Sequence, residues 1–308
     1  MHMLPSFPQF KSLEFSDKSD IENITSQHPP YSDFNFTSML VWNVKGSMRV
    51  SEINRNLVVC FEDYMTGEPF YSFLGTNKIE DTADKLLALS KKEGLRPFLK
   101  LIPEEAAIEL SKEKYLIVED RDNFDYVYAT QDLVEYPGPD YSMKRRMVRS
   151  FWKNYPDAIV RTFGAEELLK EEKVLGLYER WVKNKTIEEK EVDAFNETAA
   201  LKRFFSSGMP YEDFLEIGIF HGEKLIGFSL VEFLHSDHII SHFLKADTDY
   251  VGVYPCLLQE GKKIAFLRKK KSFFNFEQDL GIPGLRKSKM LFRQKHFLKK
   301  FIVSPKTE

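Results

Sequence analysis

Residues 214–246 place the tightest constraint on what this chain can fold into. Three apolar runs, FLEIGIF, LIGFSLVEF and IISHFLKA, follow one another with only the turns HGEK and HSDH between them. Short polar turns between such runs predict an antiparallel meander. A sheet of this kind must bury at least one apolar face against another layer. The flanking sequence supplies that layer. Upstream, 158–163 (AIVRTF) reads as a strand running into Gly164. From Glu166, residues Leu168, Leu169, Leu175, Tyr178 and Val182 recur at helical spacing, and a second helix is predicted near 194–205. Downstream come a helical run (YPCLLQEGKKIAFLRKK), a strand (SFFNFEQD), a glycine-rich turn, a short basic helix and a last apolar run over 297–303. The order is β-α-α-β-β-β-α-β-α-β.

The first half repeats this plan without repeating residues. A strand near 12–15 and a mostly helical stretch over 18–42, interrupted at Pro29-Pro30, precede a meander of SMRVSEI, NLVVCFED and EPFYSFLG. A helix over 79–92, the strand PFLKLIP, a helical 104–110 and the strands YLIVED and DYVYA complete it. Tyr136-Pro137-Gly138-Pro139-Asp140 is the densest Pro/Gly cluster. It sets the expected divide between domains 1–138 and 139–308. The expected class is α/β with mixed sheets in two tandem domains, the second carrying the chemistry.

Composition excludes several classes. A 43% hydrophobic and 14% aromatic content is enough for real cores and argues against disorder. No apolar run reaches the roughly 18 residues of a membrane span, and MHMLPSFPQFKS lacks the pattern of a secretory signal, so a cytoplasmic location is expected. Cys60 and Cys256 read as buried free thiols, and no metal site is assigned. His235, His238 and His242 lack the accompanying carboxylates of a zinc site. Nucleophile-elbow, P-loop and Cys-x-x-Cys motifs are absent. The net charge of −3 hides an asymmetry: residues 262–300 hold thirteen Lys or Arg against Glu277 and Asp279. Such a block suggests an anionic partner.

Three phrases resemble a bacterial family related to the C-terminal domain of phosphatidylglycerol lysyltransferases. They are Tyr31-Ser32-Asp33-Phe34-Asn35-Phe36 with Trp42, Lys144-Arg145-Arg146 with Phe151, and FEQDLGIPGLRKSK over 276–289. The resemblance implies two GNAT-like (acyl-CoA N-acyltransferase) halves, an arrangement the element order also resembles. It further implies transfer of an aminoacyl group from tRNA to a lipid headgroup. Characterised relatives carry a multi-span membrane region ahead of this domain, which has no counterpart in these residues.

Three segments carry candidate chemistry. In GNAT enzymes the junction between the meander and the next helix cradles the pyrophosphate of coenzyme A on backbone N–H groups. Here that junction is Asp247, Asp249, Tyr250 and Gly252, with one glycine and two carboxylates. The aspartates would repel a diphosphate, so acyl-CoA is disfavoured, and either would suit the amine of an aminoacyl donor; helix capping is the structural alternative. In the second segment a strand delivers Glu277 and Asp279 beside Arg286, Lys287 and Lys289. Either acid would serve as general base, and Arg286 with Lys289 as a phosphate clamp. The alternative is a structural turn. The third is a basic helix in which Lys144, Arg145, Arg146 and Arg149 surround an apolar stripe of Met143, Met147 and Phe151. It would grip an RNA backbone, or simply bury its stripe and solvate its charges.

The expected function is acyl or aminoacyl transfer, with tRNA as a donor carrier, to an amine or hydroxyl. A non-catalytic module holding an anionic ligand or nucleic acid is the alternative. No cofactor or oligomeric state is assigned.

Overall fold

The computed structural model describes residues 4–163, 169–183, 187–209 and 211–306, and the side chains of 187–196 are left aside. The chain forms two compact units, each with a seven-stranded mixed sheet. The class is therefore α/β with mixed sheets in two units, as expected.

The first unit contains β1 (Lys11–Ser12), α1 (Lys18–Thr25), α2 (Phe36–Trp42), β2 (Arg49–Ile53), β3 (Asn56–Glu62), β4 (Pro69–Leu74), α3 (Ile79–Lys92), β5 (Leu99–Pro103), α4 (Glu104–Ala107) and β6 (Tyr115–Glu119). The β2-β3-β4 meander is antiparallel, and β4 pairs with β5 in parallel. Helix α3 has Glu80 and Asp81 in its first turn and Lys91 and Lys92 in its last, complementing its dipole at both ends. Its Ala83, Leu86 and Leu87 pack into a core with Val58, Phe73 and Ile102.

The second unit contains β7 (Asp125–Ala129) from Val127 onward, α5 (Thr130–Glu135), α6 (Ser142–Asn154), β8 (Ala158–Phe163), α7 (Glu171–Lys183), α8 (Ile187–Ser206), β9 (Phe214–His221), β10 (Lys224–Phe233), β11 (His238–Ala246), α9 (Val253–Lys269) and β12 (Phe273–Asn275); the residues of α10 (Pro283–Met290) and β13 (His296–Leu298) are divided between the units, and β14 (Lys300–Pro305) belongs to the first. Strands β9, β10 and β11 are the expected meander, paired antiparallel. They are almost wholly buried, being covered on both faces. Helix α9 comes close to the sheet where it is narrow: a Cβ at Gly261 would lie 3.2 Å from Ile217. Gly164 and the helix start at Glu166 lie outside the described residues.

The divide expected at Gly138 needs correction. Contacts group residues up to Tyr126 with Glu277–Lys287 and Phe297–Glu308, and group Val127–Phe276 with Ser288–His296. The last strand, β14, lies in the first sheet between β5 and β6, while β7 lies in the second beside β12. The Pro/Gly cluster is not a free linker. Tyr136 is fully buried, its hydroxyl donates to the Pro255 carbonyl at 3.0 Å, and its ring stacks on Tyr141. Among the described residues, no helix is long and apolar enough to cross a membrane.

Candidate functional site

The FEQDLG turn is sharply bent. Glu277, Leu280 and Gly281 all have left-handed backbone, with φ of 55°, 53° and 73°. A Cβ at Gly281 would sit 2.8 Å from the Asp122 carboxylate, so glycine is needed there. Asp279 holds the bend. It is fully buried within the first unit and receives hydrogen bonds from Arg286 (2.9 and 2.7 Å), Arg121 (3.2 Å), the Tyr126 hydroxyl (2.5 Å) and the Gly281 amide (2.9 Å). Burial alone would raise its pKa, but the bonds from Arg286, Tyr126 and Gly281 outweigh burial and hold it below the ordinary value.

These partners give Asp279 a structural role, which competes with the expected one as general base. A carboxylate whose lone pairs are already filled and whose charge is stabilised does not pick up an acceptor proton. Nor do Arg286 and Lys289 form a phosphate clamp. Arg286 is committed to Asp279 and Asp122 (2.6 Å), while Lys289 reaches the Phe276 carbonyl at 2.5 Å in the second unit. Lys287 is exposed, and Glu277 is half-buried, 3.5 Å from the Ser38 hydroxyl.

A second buried network in the first unit joins residues far apart in sequence. Lys300 is fully buried, 2.7 Å from Asp125 and paired with Asp33. The Ser32 amide and hydroxyl each donate to Asp125 at 2.7 Å, and the Gln278 amide donates to Asp33 at 2.6 Å. Burial raises Asp33 to about 6 against the opposing pull of Lys300.

In the second unit, the turn between β11 and α9 is occupied from within. Asp247 is fully buried, 2.9 Å from Lys224 and 3.2 Å from Arg180, and accepts the Asp249 amide at 3.3 Å. Burial pushes its pKa up, but Lys224, that amide and Arg180 bring it below the ordinary value. Asp249 is exposed, and Tyr250 lies against Tyr155, with ring centres 4.9 Å apart. Gly252 has φ of 89°, and a Cβ there would meet the Met147 carbonyl at 2.5 Å, so α6 crosses directly over the start of α9. On α6, Arg145 donates to the Tyr136 and Gly138 carbonyls and Lys144 lies 3.9 Å from the Phe292 ring centre; Arg146 and Arg149 are exposed.

The carboxylate partner of His242 was missed in the sequence, where the histidine was weighed only as a metal ligand. His242 and Glu232, each 4% exposed, pair at 2.8 Å across β11 and β10. They sit beside a bulge: Leu230 pairs with Phe243 but Val231 with Ser241, leaving His242 as the extra residue. The parallel pairing of β11 with β12 ends close by, at Ile240 and Asn275. An acidic residue in LIGFSLVEF and a histidine in IISHFLKA, brought together by the hairpin, were the available signal. The three histidines separate instead of clustering: His238 stacks on Phe273, and His235 is exposed. Lys262, buried without a hydrogen-bond partner between the Phe274 and Phe276 rings, is pushed down to about 7 by burial.

Glu216 on β9 is fully buried and accepts the Leu169 amide at 2.9 Å through one oxygen, the other having no partner. Burial raises its pKa to about 7 against that one amide. Its stabilising contribution is present below the ordinary value of 4.5 and is lost as pH rises through 7. Glu216→Gln is therefore expected to raise Tm at pH 8 and leave it unchanged near pH 4. An equal shift at both values would show that Glu216 does not titrate in this range.

Comparison with known proteins bears on the whole chain. The family model for the phosphatidylglycerol lysyltransferase C-terminal region matches residues 26–304. No curated protein matches the sequence. A conserved protein of unknown function from Bacteroides thetaiotaomicron superposes with a TM-score of 0.81 at 23% identity, over 96% of this chain and 99% of its own. L-PGS from Bacillus licheniformis gives 0.62 at 11% identity, over 96% and 94%. The C-terminal domain of a putative lysylphosphatidylglycerol synthetase from Agrobacterium fabrum gives 0.57 at 9%, over 94% and 91%. At these identities the structures attest to the fold alone.

Proposed function

Because this chain belongs to the phosphatidylglycerol lysyltransferase C-terminal family, we propose that it transfers an aminoacyl group from an aminoacyl-tRNA ester to a hydroxyl or amine, with His242 and Glu232 handling the proton. Family and fold are those of acyl and aminoacyl transferases. The observation that carries the finer reading is the buried imidazole–carboxylate pair at the β11 bulge. In a neutral imidazole that donates Nε2–H to a carboxylate such as Glu232, Nδ1 is the basic nitrogen. The acceptor oxygen or nitrogen attacks the ester carbonyl while His242 takes its proton. The tetrahedral intermediate then collapses, breaking the bond to the tRNA ribose oxygen, which recovers the proton from His242. Glu232 stabilises the transient imidazolium.

Acyl-CoA is disfavoured as the donor. Helix α6 lies over the Gly252 turn, and Asp247 keeps a negative charge beneath it. The names of the relatives suggest lysine and phosphatidylglycerol as the first donor and acceptor to try. The test is transfer from charged tRNAs to a panel of amines, glycerol-type alcohols and phosphatidylglycerol. His242→Ala or Glu232→Gln should lower the rate about 10²–10⁴-fold with the fold intact. Absence of transfer and of accelerated deacylation with every charged tRNA would sink this reading, and tight binding of free coenzyme A would refute the choice of donor. The non-catalytic binding module draws support from Asp279 and Asp247, both of which are consumed in internal ion pairs.

A further inference from the structure

We propose that the free edge of the first sheet, strand β6, is a docking surface for a second copy of this chain, with the two β6 strands pairing antiparallel about a two-fold axis at Ile117. Strand β6 ends the sheet and is paired on one side only, to β14. The Asp120 amide donates to the Lys300 carbonyl and the Lys306 amide to the Lys114 carbonyl, so residues 114 and 120 turn their backbone groups toward β14. By alternation Leu116 and Val118 do the same, while Ile117 and Glu119 turn theirs outward. Among the described residues neither finds a backbone partner on that side, and the Tyr115 carbonyl points the same way.

This edge differs from the other three. It is five residues long, whereas β1 and β13 have two and three. Strand β8 carries Arg161 among its apolar residues, a charge that discourages strand addition, but the YLIV of β6 holds neither charge nor proline. Leu116 and Val118 project from β6, 52% and 48% exposed, with Ile302 of β14 beside Val118 on the same face. An apolar edge left open in this way is a template for another strand.

The flanking charges select a second copy, in antiparallel order, as that strand. Counting outward from Ile117, residues 114, 113 and 112 read Lys, Glu, Lys, and residues 120, 121 and 122 read Asp, Arg, Asp, opposite in sign at every step. Lys112, Lys114 and Glu119 are exposed. An antiparallel two-fold sets the basic start of one strand against the acidic end of the other, whereas parallel pairing would set like against like. In this register each Ile117 amide donates to the Ile117 carbonyl of the second copy, and each Glu119 amide to the Tyr115 carbonyl of the second copy. Leu116 then faces Val118 of the second copy at a closely spaced pair, so the projecting aliphatic side chains cover one another. Two seven-stranded sheets become one continuous sheet.

This surface is independent of the transfer reaction, and its test needs no turnover. Light scattering after size exclusion should give the mass of two chains for concentrated full-length protein, falling toward one on dilution. Leu116→Lys with Val118→Lys sets like charges opposite each other and should weaken association at least about tenfold. Both side chains are half exposed, so Tm measured on dilute protein should stay at the wild-type value. An equimolar mixture of Leu116→Cys and Val118→Cys chains should form an intermolecular disulfide on mild oxidation. Either variant alone should not, because only the mixed pair stands face to face in this register. The mass of one chain throughout the series would overturn the proposal and leave the edge to a strand of another protein. So would a dimer that the paired lysines do not weaken, or cross-linking of a single variant as fast as the mixture.

Discussion

Replacing Lys300 with methionine is expected to destabilise the protein by about 3–5 kcal/mol, the usual cost of leaving buried charge uncompensated. Lys300 is fully buried and neutralises two carboxylates, Asp33 and Asp125. Methionine keeps the volume but removes the cation that both acids share. The effect should appear as a fall in Tm of roughly 10 °C. The deficit should shrink as pH is lowered, because the stranded carboxylates can then protonate. Adding Asp33→Asn to Lys300→Met should recover part of the loss, since the pair is coupled. A loss below about 1 kcal/mol would mean that water reaches the network and that burial does not set its energetics.

Asp279→Ala separates a structural role from a catalytic one. If the carboxylate locks the turn, stability falls by about 2–3 kcal/mol while turnover per folded molecule is kept. The figure is set below the full cost of breaking a buried pair because Arg121 and Arg286, a third exposed, can rehydrate. The lowered pKa of Asp279 gives the pH dependence: its contribution is present above the ordinary carboxylate value and is lost as pH falls through its folded value. Wild type and variant should therefore converge in acid. Loss of transfer with Tm unchanged would restore Asp279 as the general base.

Much of each unit was legible because its signals are local. The meander over 214–246 formed as expected because tight turns fix the pairing of adjacent strands. Helix α3 spans the predicted 79–92 because its apolar spacing and its terminal charges agree. Where signals were not local, prediction went astray. The last apolar run was expected to complete the second half, yet β14 joins the first sheet, and a buried hydrophobic strand carries no label for its partner. The acidic-to-basic turn was recognised as important, but the donors that surround its carboxylate were not legible. A free base and a saturated one have the same sequence, and only the surrounding donors distinguish them.

The sequence by itself determined the family, the class of both units, most strand and helix positions, and the weight of charge toward the C-terminal block. The family rests on the resemblance of three phrases, and the rest follows from periodicity, turn residues and composition, all read within a few turns of chain. Tertiary structure alone decided which charges are spent and which are available. Arg121 meets Asp279 across 158 residues and Ser32 meets Asp125 across 93, so both carboxylates are held as structural anchors. His242 and Glu232 become a buried pair only through the bulged register of two strands. The physical reason is that desolvation and hydrogen bonding set the chemistry of an ionisable group, and both depend on neighbours that chain order does not specify.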